Sequence, residues 1–174
     1  MAVPKFTREN GISVEPRGFA EASDELLRLT RKLDVAALAT STPDGRPSVA
    51  PLRYAVTDEF EFVMGTLRTS RKSANLRHSP AVAVVIWGYE FSIQIEGTFD
   101  EPVGADQDRL GSFFAAEFPN EARLRAGRPA HFFFRVTPAW ARYSDFTDEP
   151  PRVLTLDFTT ETETRAFWPI ISDD

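Results

Sequence analysis

The spacing of apolar residues predicts one amphipathic helix near the start of the chain. Residues 22–34, ASDELLRLTRKLD, repeat apolar side chains at helical spacing, and Ser23 is a candidate N-cap because its hydroxyl can accept from the first free amides. The stripe predicted to face the core consists of Leu26, Leu27, Leu29 and Leu33. Residues 1–19 show no such period and predict an irregular N-terminal arm.

A meander of three strands is predicted next. Apolar runs at about 35–41, 46–56 and 60–66 have the length and residue types of strands. The TPDG segment joins the first two as a turn, since proline presets φ and glycine supplies a positive φ. A short helix is predicted from about Ser70, and Pro80 ends it because proline disfavours helix at the preceding residue.

The second half of the chain predicts further strands and one helix. AVAVVIW is a continuous apolar run and predicts a strand buried on both faces, whereas FSIQIEGTFD alternates and predicts one buried face. GADQDRLGSFFAAEF predicts a helix that packs Leu110, Phe113 and Phe114 and ends at Pro119. AHFFFRVTPAWARYSDF predicts two strands broken or bulged at Pro138, and PRVLTLDF predicts a short last strand.

These elements indicate a mainly β protein with a few short helices. Six or seven strands joined mostly by short turns are typical of an antiparallel barrel or sandwich. Closing a barrel would also remove the exposed edges of several very apolar strands. The length of 174 residues suits a single domain over residues 1–174, carrying the N-terminal arm and helix.

Composition narrows the chemistry. The chain has no cysteine, which excludes disulfides, thiolate metal sites, iron–sulfur clusters and cysteine nucleophiles. Its two histidines, His78 and His131, are too few for a histidine metal site on one chain, so no metal is expected. A net charge of -6 argues against nucleic-acid binding, which needs a basic face.

The sequence predicts neither a membrane span nor a secretory signal. It contains no apolar run of about 18 residues, so no membrane span is expected. The N-terminal sequence MAVPKFTREN lacks the apolar core of a secretory signal. The expected location is therefore the cytoplasm.

The stretch TLRTSRKSANLRHSP, residues 66–80, concentrates positive charge in this acidic chain. It holds no acid and four cations, which are Arg68, Arg71, Lys72 and Arg77. A helix that begins near Ser70 would offer free amides and the positive end of its dipole to a phosphate, with cations in its first turn. The alternative is a solvated, arginine-rich helix face, and spacing alone leaves both open.

The order of motifs resembles the pyridoxamine 5'-phosphate oxidase-like family of FMN-binding split-barrel proteins. The chain gives LATSTPDGRPSVAPLRYAV, then TSRKSANLRHSPAVAVVIW, then IQIEGTFDEP, in the family's order of DG turn, SRK and NL helix, apolar strand and EG strand. FFFRVTPAWARYSDF is similar to the family's last barrel strands. The resemblance covers roughly residues 23–146 and implies a six- to seven-stranded antiparallel split barrel.

The resemblance implies FMN as cofactor and a phosphate site at SRK. Arg71 and Lys72 would hold the phosphate, and Ser70 and Thr66 would add hydroxyl contacts. Arg53 would lie beside the flavin. The main chain of the next three residues would run along the ring edge and donate hydrogen bonds to its pyrimidine part, and these residues are Tyr54, Ala55 and Val56.

Further implied contacts come from two later strands and a second subunit. Ser92 and, on the same strand face, Gln94 would approach the flavin. Trp140 or Tyr143 would cap the site from the partner subunit, since the family is typically homodimeric with the cofactor at the interface. No side chain stands out as a required acid or base, because a flavin carries its own chemistry.

Simpler roles for several of these residues stay open on the sequence alone. Arg53 fits a charge at the barrel rim, and Trp140 fits a structural position after Pro138. Asn75 fits a cap or turn within its own short helix, and His131 fits a strand end.

One departure from the family bears on the reaction. Pyridoxamine-phosphate oxidases carry an arginine- and histidine-containing segment near their C-terminus, whereas this sequence gives ETETRAFWPIISDD. The expectation is a flavin-dependent oxidoreductase that does not act on vitamin B6, passing hydride or electrons from a reduced nicotinamide or similar donor to an unknown small molecule. The alternatives are a deazaflavin-dependent reductase on the same fold and a non-enzymatic flavin- or heme-binding protein.

Overall fold

The structure is a computed structural model of the chain, and it describes residues 12, 15, 17–125 and 130–168. The helices in this part are α1 (Phe19–Thr30), α2 (Arg71–His78), α3 (Ala105–Glu117) and α4 (Pro119–Arg125). The first four strands are β1 (Val35–Ser41), β2 (Pro47–Val56), β3 (Phe62–Leu67) and β4 (Ala81–Trp87). The others are β5 (Phe91–Asp100), β6 (His131–Asp145), β7 (Arg152–Asp157) and β8 (Thr162–Phe167).

The strands form one sheet that closes on itself. Their order is β3-β2-β1-β4-β5-β6-β7-β8, and β3 also pairs with β6, which closes the first six strands into an antiparallel barrel. The predicted mainly β, antiparallel barrel is therefore confirmed. The strand β8 was not predicted, because its sequence TETRAF lacks an apolar face and depends on pairing with β7.

The chain divides into two compact units. The first comprises Met1–Leu33, Val85–Ile95 and Ala139–Asp174, and the second comprises Asp34–Val84 and Glu96–Pro138. The strands β4, β5 and β6 contribute residues to both units. The single domain over residues 1–174 stays a prediction, and most of its N-terminal arm lies outside the described residues.

In the second unit, β1, β2 and β3 form the predicted meander. β1 and β2 pair from Val35 with Arg53 to Ser41 with Pro47, across the predicted turn, where Gly45 has a φ of 81°. Alternate side chains point inward to form the core, and each is at most 5% exposed: Ala36, Leu38, Tyr54, Val56, Phe62, Met64, Phe132, Phe134 and Val136. Because successive side chains of a strand point to opposite faces, the residues between these core positions point away from the barrel interior.

The helix α3 covers part of the outer face of the same unit. Leu110 and Phe114, both predicted core residues, are fully buried against Ala55 and Val63, while the predicted Phe113 is partly buried beside them. The helix ends at Glu117, before Pro119, as predicted. The outward side of β2 and β3 is thus a second apolar layer.

Two strand predictions need correction in detail. β4 is buried on one face only, because a barrel strand turns its alternate residues outward, here Ala81, Ala83 and Trp87. β6 runs without a break across Pro138, so the predicted break was wrong, whereas its buried positions shift from even to odd between Pro138 and Ala141, which fits the alternative of a bulge. Its pairing with β3 ends at Val136 and its pairing with β7 begins at Trp140, so Pro138 lies where no amide donor is needed on that side.

In the first unit, α1 begins earlier than predicted. Its N-cap is Gly18 rather than Ser23, and Gly18 offers no side-chain cap. The carboxylate of Glu163 on β8 takes that role, accepting from the Arg17 amide at 2.6 Å and the Gly18 amide at 2.7 Å. Leu26, Leu27 and Leu29 are buried as predicted, whereas Leu33 lies beyond the helix and is half-buried.

The same carboxylate belongs to a buried ionic group, the β8 clasp, formed by Glu25, Glu163 and Arg165. The Arg165 side chain is 0% exposed and reaches Glu25 Oε2 at 2.9 Å and Glu163 Oε2 at 3.0 Å. The clasp therefore joins Glu25 of α1 to Arg165 of β8, while Glu163 also holds the two residues just before the helix. A buried guanidinium requires such partners, because an unpaired buried charge is strongly destabilising.

The β8 clasp predicts a pH-dependent stability. Burial alone would raise the pKa of Glu163, but the amides of Arg17 and Gly18 and the Arg165 guanidinium lower it below the ordinary glutamate value. The carboxylate thus stabilises the fold above about pH 4.3, and this stabilisation is lost as pH falls through the folded pKa. We expect Glu163→Gln to lower the free energy of unfolding by about 1.5–3 kcal/mol at pH 7 and by much less at pH 3.

Urea unfolding from pH 7 to pH 3 measures this difference. Glu21→Gln is the control, since among the described residues Glu21 forms one exposed ion pair, with Arg17 just before the helix, and exposed pairs contribute about 0–1 kcal/mol. If Glu163→Gln lowers the free energy of unfolding equally at both pH values, the stabilisation does not come from the ionised Glu163 carboxylate.

The glycine of the EG motif has a steric role that can be tested. A Cβ on Gly97 would lie 2.4 Å from the Thr137 carbonyl oxygen and 3.1 Å from Pro138 Cα, both main-chain atoms. We expect Gly97→Ala to lower the free energy of unfolding by about 1–3 kcal/mol, as overpacking does, measured by urea unfolding.

Gly111→Ala is the matched control. Its Cβ would meet only the Phe133 ring, at 3.3 Å, and that side chain is half-buried and can shift. Alanine also favours the helix by up to about 1 kcal/mol, so the control should be near neutral. If Gly97→Ala also leaves the free energy of unfolding unchanged, the close approach of β5 and β6 does not require glycine at position 97.

Candidate functional site

The start of α2 brings two predicted site residues together. α2 begins at Arg71, where the sequence predicted a helix, and the Ser70 hydroxyl caps it by accepting from the Ser73 amide at 3.2 Å. Thr66, at the end of β3, places its Oγ1 3.1 Å from Ser70 Oγ. The amides of Arg71 and Lys72 precede the first bond within the helix, so they can face a ligand.

The helix is fixed to the barrel strands by its buried side. Asn75 is 2% exposed, and its side-chain amide donates to Thr40 Oγ1 on β1 at 3.0 Å. Its main-chain carbonyl accepts from the Ser79 amide. Leu76 is 1% exposed beside it. Asn75 thus anchors α2, in line with the structural role that the sequence left open, and the helix start is held in one position.

Two of the four cations of the basic stretch already have partners. Arg68 and Arg77 both bond to Glu101, Arg68 through Oε1 and Arg77 through Oε2 at 3.0 and 3.1 Å. Both guanidinium groups also lie over the Phe132 ring, 4.8 and 5.3 Å from its centroid. We call these four residues the Glu101 clasp. Glu101 was not predicted, because only the fold brings it beside the basic stretch.

The other two cations remain uncompensated. Within the described part of the chain, neither Arg71 nor Lys72 forms an ion pair, and the first turn of α2 holds no acidic residue. Arg71 Nη2 donates only to Ser48 Oγ on β2, at 3.0 Å. Ser48 was not predicted as a site residue, because its proximity to Arg71 depends on how α2 packs against the strands. Two cations without a carboxylate partner in the described residues, in the helical turn that follows Thr66 and Ser70, form a suitable site for a small anion.

Arg53 has a different environment. Its guanidinium pairs with Asp34 at 3.2 Å and with Glu121 on α4 at 3.2 Å, and it lies 5.0 Å from the centroid of the Phe118 ring. These contacts match the structural alternative, and a cofactor contact for Arg53 stays a prediction. A ligand there would have to compete with two carboxylates.

The three residues after Arg53 are part of the sheet. The main-chain amide of Tyr54 donates to the Asp34 carbonyl at 3.0 Å, so this amide is not free for a ligand. Burial, together with the nearby Asp34 carboxylate, raises the pKa of the Tyr54 phenol. Val56 points inward, and Ala55 packs against α3. Any main-chain contact with a cofactor in this segment stays a prediction.

The remaining predicted site residues lie in the first unit. Ser92 is half-buried and Gln94 is exposed, on the face of β5 opposite its core residues. Trp140 is half-buried on β6. Tyr143 is 0% exposed and stacks on Phe91 with ring centroids 6.0 Å apart, so the alternative of Tyr143 as a cap was wrong.

The structure also bears on metal and membrane sites. Among residues 17–125 and 130–168, no group of three or more His, Asp or Glu side chains is arranged to hold a metal ion. His131 packs against the Phe133 ring at 5.0 Å, near the strand end that the sequence suggested. No helix within the described ranges is both long and apolar enough to cross a bilayer.

Sequence comparison identifies relatives over most of the barrel. The sequence profile of the family described as pyridoxamine 5'-phosphate oxidase matches residues 22–145. A pyridoxine/pyridoxamine 5'-phosphate oxidase of Rubrobacter xylanophilus is 37% identical over 122 residues, which are 68% of this chain and 54% of that protein. The chain thus spans about half the length of the curated relatives that it matches.

Solved structures share the fold at lower identity. An FMN-binding protein from Nostoc punctiforme, related to pyridoxamine 5'-phosphate oxidase, superimposes with a TM-score of 0.66 at 15% identity, over 91% of this chain and 100% of that chain. A heme-binding protein from Mycobacterium smegmatis gives a TM-score of 0.67 at 16% identity, over 83% of this chain and 60% of that chain. At these identities the similarity establishes the fold alone.

Proposed function

Since the chain belongs to the pyridoxamine 5'-phosphate oxidase family, we propose that it is a flavoprotein that binds FMN through the first turn of α2. The observation that carries the proposal is the pair of cations, Arg71 and Lys72, that lack an acidic partner in the described residues and begin the helix capped by Ser70, whose hydroxyl contacts that of Thr66. The similar fold of an FMN-binding protein from Nostoc punctiforme supports the same cofactor.

The chemistry of this group suits a phosphate monoester. A guanidinium can bond two phosphate oxygens at once, and an ammonium supplies a compact charge. Two cations balance a phosphate dianion, and the free amides of the first turn add donors at the positive end of the helix dipole. In the absence of an anion, the same two cations oppose that dipole at a cost of about 0.3–1 kcal/mol each.

We further propose that the protein is an oxidoreductase. A bound flavin supplies hydride and electron transfer, so the protein's own residues need only bind and orient it. The donor would be a reduced nicotinamide or a similar reductant and the acceptor a small molecule. No catalytic side chain is assigned.

The binding site is tested by a charge-removal variant. We expect Arg71→Ala with Lys72→Ala to weaken FMN binding at least about 100-fold, since two charge-assisted contacts of about 1.5–3 kcal/mol each are lost. Riboflavin, which lacks the phosphate, should bind both proteins equally. Titration with quenching of flavin fluorescence measures both affinities.

Arg28→Ala with Arg31→Ala is the control, because it removes the same charge from exposed positions in and just after α1. It should retain wild-type FMN affinity. The absorbance spectrum of the purified protein distinguishes flavin from heme and deazaflavin. A wild-type protein that rejects added FMN, or a double variant with unchanged FMN affinity, would overturn the proposed site.

We also propose that the protein is a homodimer that uses the outer face of β1 and β2. Val35 is 39% and Val49 66% exposed, and their neighbours on this face, Ala37, Ala39 and Pro51, are also apolar. The register places Ala39 opposite Val49 and Ala37 opposite Pro51, so these four side chains form one continuous apolar patch, and Arg53 lies opposite Val35 at its end. A second copy of the same patch is complementary to it, as in an interface with two-fold symmetry.

This proposal predicts the effect of a single charge. Val49→Glu should convert the dimer to a monomer at micromolar concentration, measured by size-exclusion chromatography with light scattering, because each interface would bury two carboxylates. Thr164→Glu, on the exposed face of β8, should leave the mass unchanged. A wild-type monomer, or a Val49→Glu dimer, would reject this interface.

A further inference from the structure

We propose that Glu101 determines ligand specificity at the start of α2, by withholding Arg68 and Arg77 so that the site accepts a single phosphate group. The inference deepens the proposed function and rests on it for the identity of the cofactor. Within the described residues, the four cations divide into two pairs with different partners, and only one pair lacks a carboxylate.

The arrangement of the Glu101 clasp holds both arginines away from a ligand. Each oxygen of the Glu101 carboxylate is used, one by Arg68 and one by Arg77. The carboxylate is 18% exposed, whereas the arginine side chains are 48% and 42% exposed. The Phe132 ring beneath them is 2% exposed and therefore fixed. The arginines are thus accessible cations that are oriented toward β6, while Arg71 is oriented toward Ser48 on β2.

Both arginines are near enough to affect the ligand if they are released. Arg68 is three residues before Arg71, so their Cα atoms are at most about 10 Å apart. Arg77 is six residues after Arg71 on the same helix, about 9 Å along its axis. These main-chain separations are comparable to the Debye length of about 8–10 Å, so the charges of these residues are only partly screened from one another by salt. The four cations and the Glu101 carboxylate together carry a charge of +3, which becomes +4 when the carboxylate is removed, and two guanidinium groups would then be free to turn.

The expected consequence concerns the length of the anionic group. A monophosphate occupies the first turn and gains little from two further arginines. A diphosphate extends beyond the first turn and can meet one of them. We therefore expect Glu101 to disfavour ligands with a second phosphate, such as a flavin dinucleotide or inorganic pyrophosphate.

The test compares Glu101→Gln with the wild type at constant ionic strength. Dissociation constants for orthophosphate and pyrophosphate are measured by calorimetry, and those for FMN and FAD by flavin fluorescence. We expect Glu101→Gln to tighten pyrophosphate and FAD by about tenfold, the effect of one added charge-assisted contact. Orthophosphate and FMN should change less than about threefold.

Glu61→Gln provides a closely matched control. Glu61 is also 18% exposed and also joins two arginines, Arg109 at 3.4 Å and Arg135 at 2.9 Å, but none of these residues lies on α2. It should leave all four affinities unchanged. Glu101→Asp keeps the negative charge, so it should keep the wild-type preference for orthophosphate and FMN over pyrophosphate and FAD that Glu101→Gln weakens.

The outcomes separate this inference from the proposed cofactor. If Glu101 only stabilised α2, its loss would weaken all ligands by the same factor, and an unchanged ratio of pyrophosphate to orthophosphate affinity overturns the inference. Failure of every protein to bind FMN overturns the proposed cofactor instead, and the inorganic anions still report on Glu101. Equal changes in Glu61→Gln would also overturn the specific role of Glu101.

Discussion

The pairing of β3 with β6 is the constraint on which the candidate site depends. It closes the barrel and fixes the register from Phe62 opposite Val136 to Leu67 opposite His131. Because β3 leads directly into α2, this register determines where Thr66 and Ser70 emerge. It also sets Phe132 opposite Thr66, which places the ring that supports Arg68 and Arg77 beside the same turn. One ladder of backbone hydrogen bonds thus positions both pairs of cations.

The local charge of the site differs from the charge of the chain. A formal net charge of -6 would repel a phosphate at long range, yet the turn before α2 concentrates cations and the fold adds a single carboxylate to it. The position of that carboxylate is what matters, because it pairs with Arg68 and Arg77 and leaves Arg71 and Lys72 without a carboxylate partner among the described residues. Screening in salt makes such local arrangements dominate over net charge.

The elements determined by nearby residues were predictable from the sequence. The turn at Gly45, the N-cap at Ser70 and the alternation of β5 follow from the properties of a few consecutive residues. Features that depend on distant residues were not. The start of α1 is determined by Glu163, the continuity of β6 by the gap between its partner strands, and β8 by its pairing with β7.

The same distinction applies to the site. Arg71 and Lys72 were identifiable because their sequence context was distinctive, and the residues that hold or neutralise neighbouring cations were not. Ser48, Glu101 and Glu121 come from other parts of the chain and have no local pattern. The sequence thus predicts a candidate site with suitable charge, whereas the structure was needed to distinguish the cations that have a carboxylate partner among the described residues from those that have none.

The cap of α1 has a consequence for the order of events during synthesis. The amide of Gly18 is bonded by a residue 145 positions later in the chain. A nascent chain therefore presents a helix of 12 residues whose cap has not yet been translated, and isolated helices of that length are marginal in water. Both segments of the second unit, Asp34–Val84 and Glu96–Pro138, leave the ribosome before β7 and β8 exist. Docking of α1 must accordingly be among the last steps of folding, and loss of the final hairpin would leave the first helix without its cap.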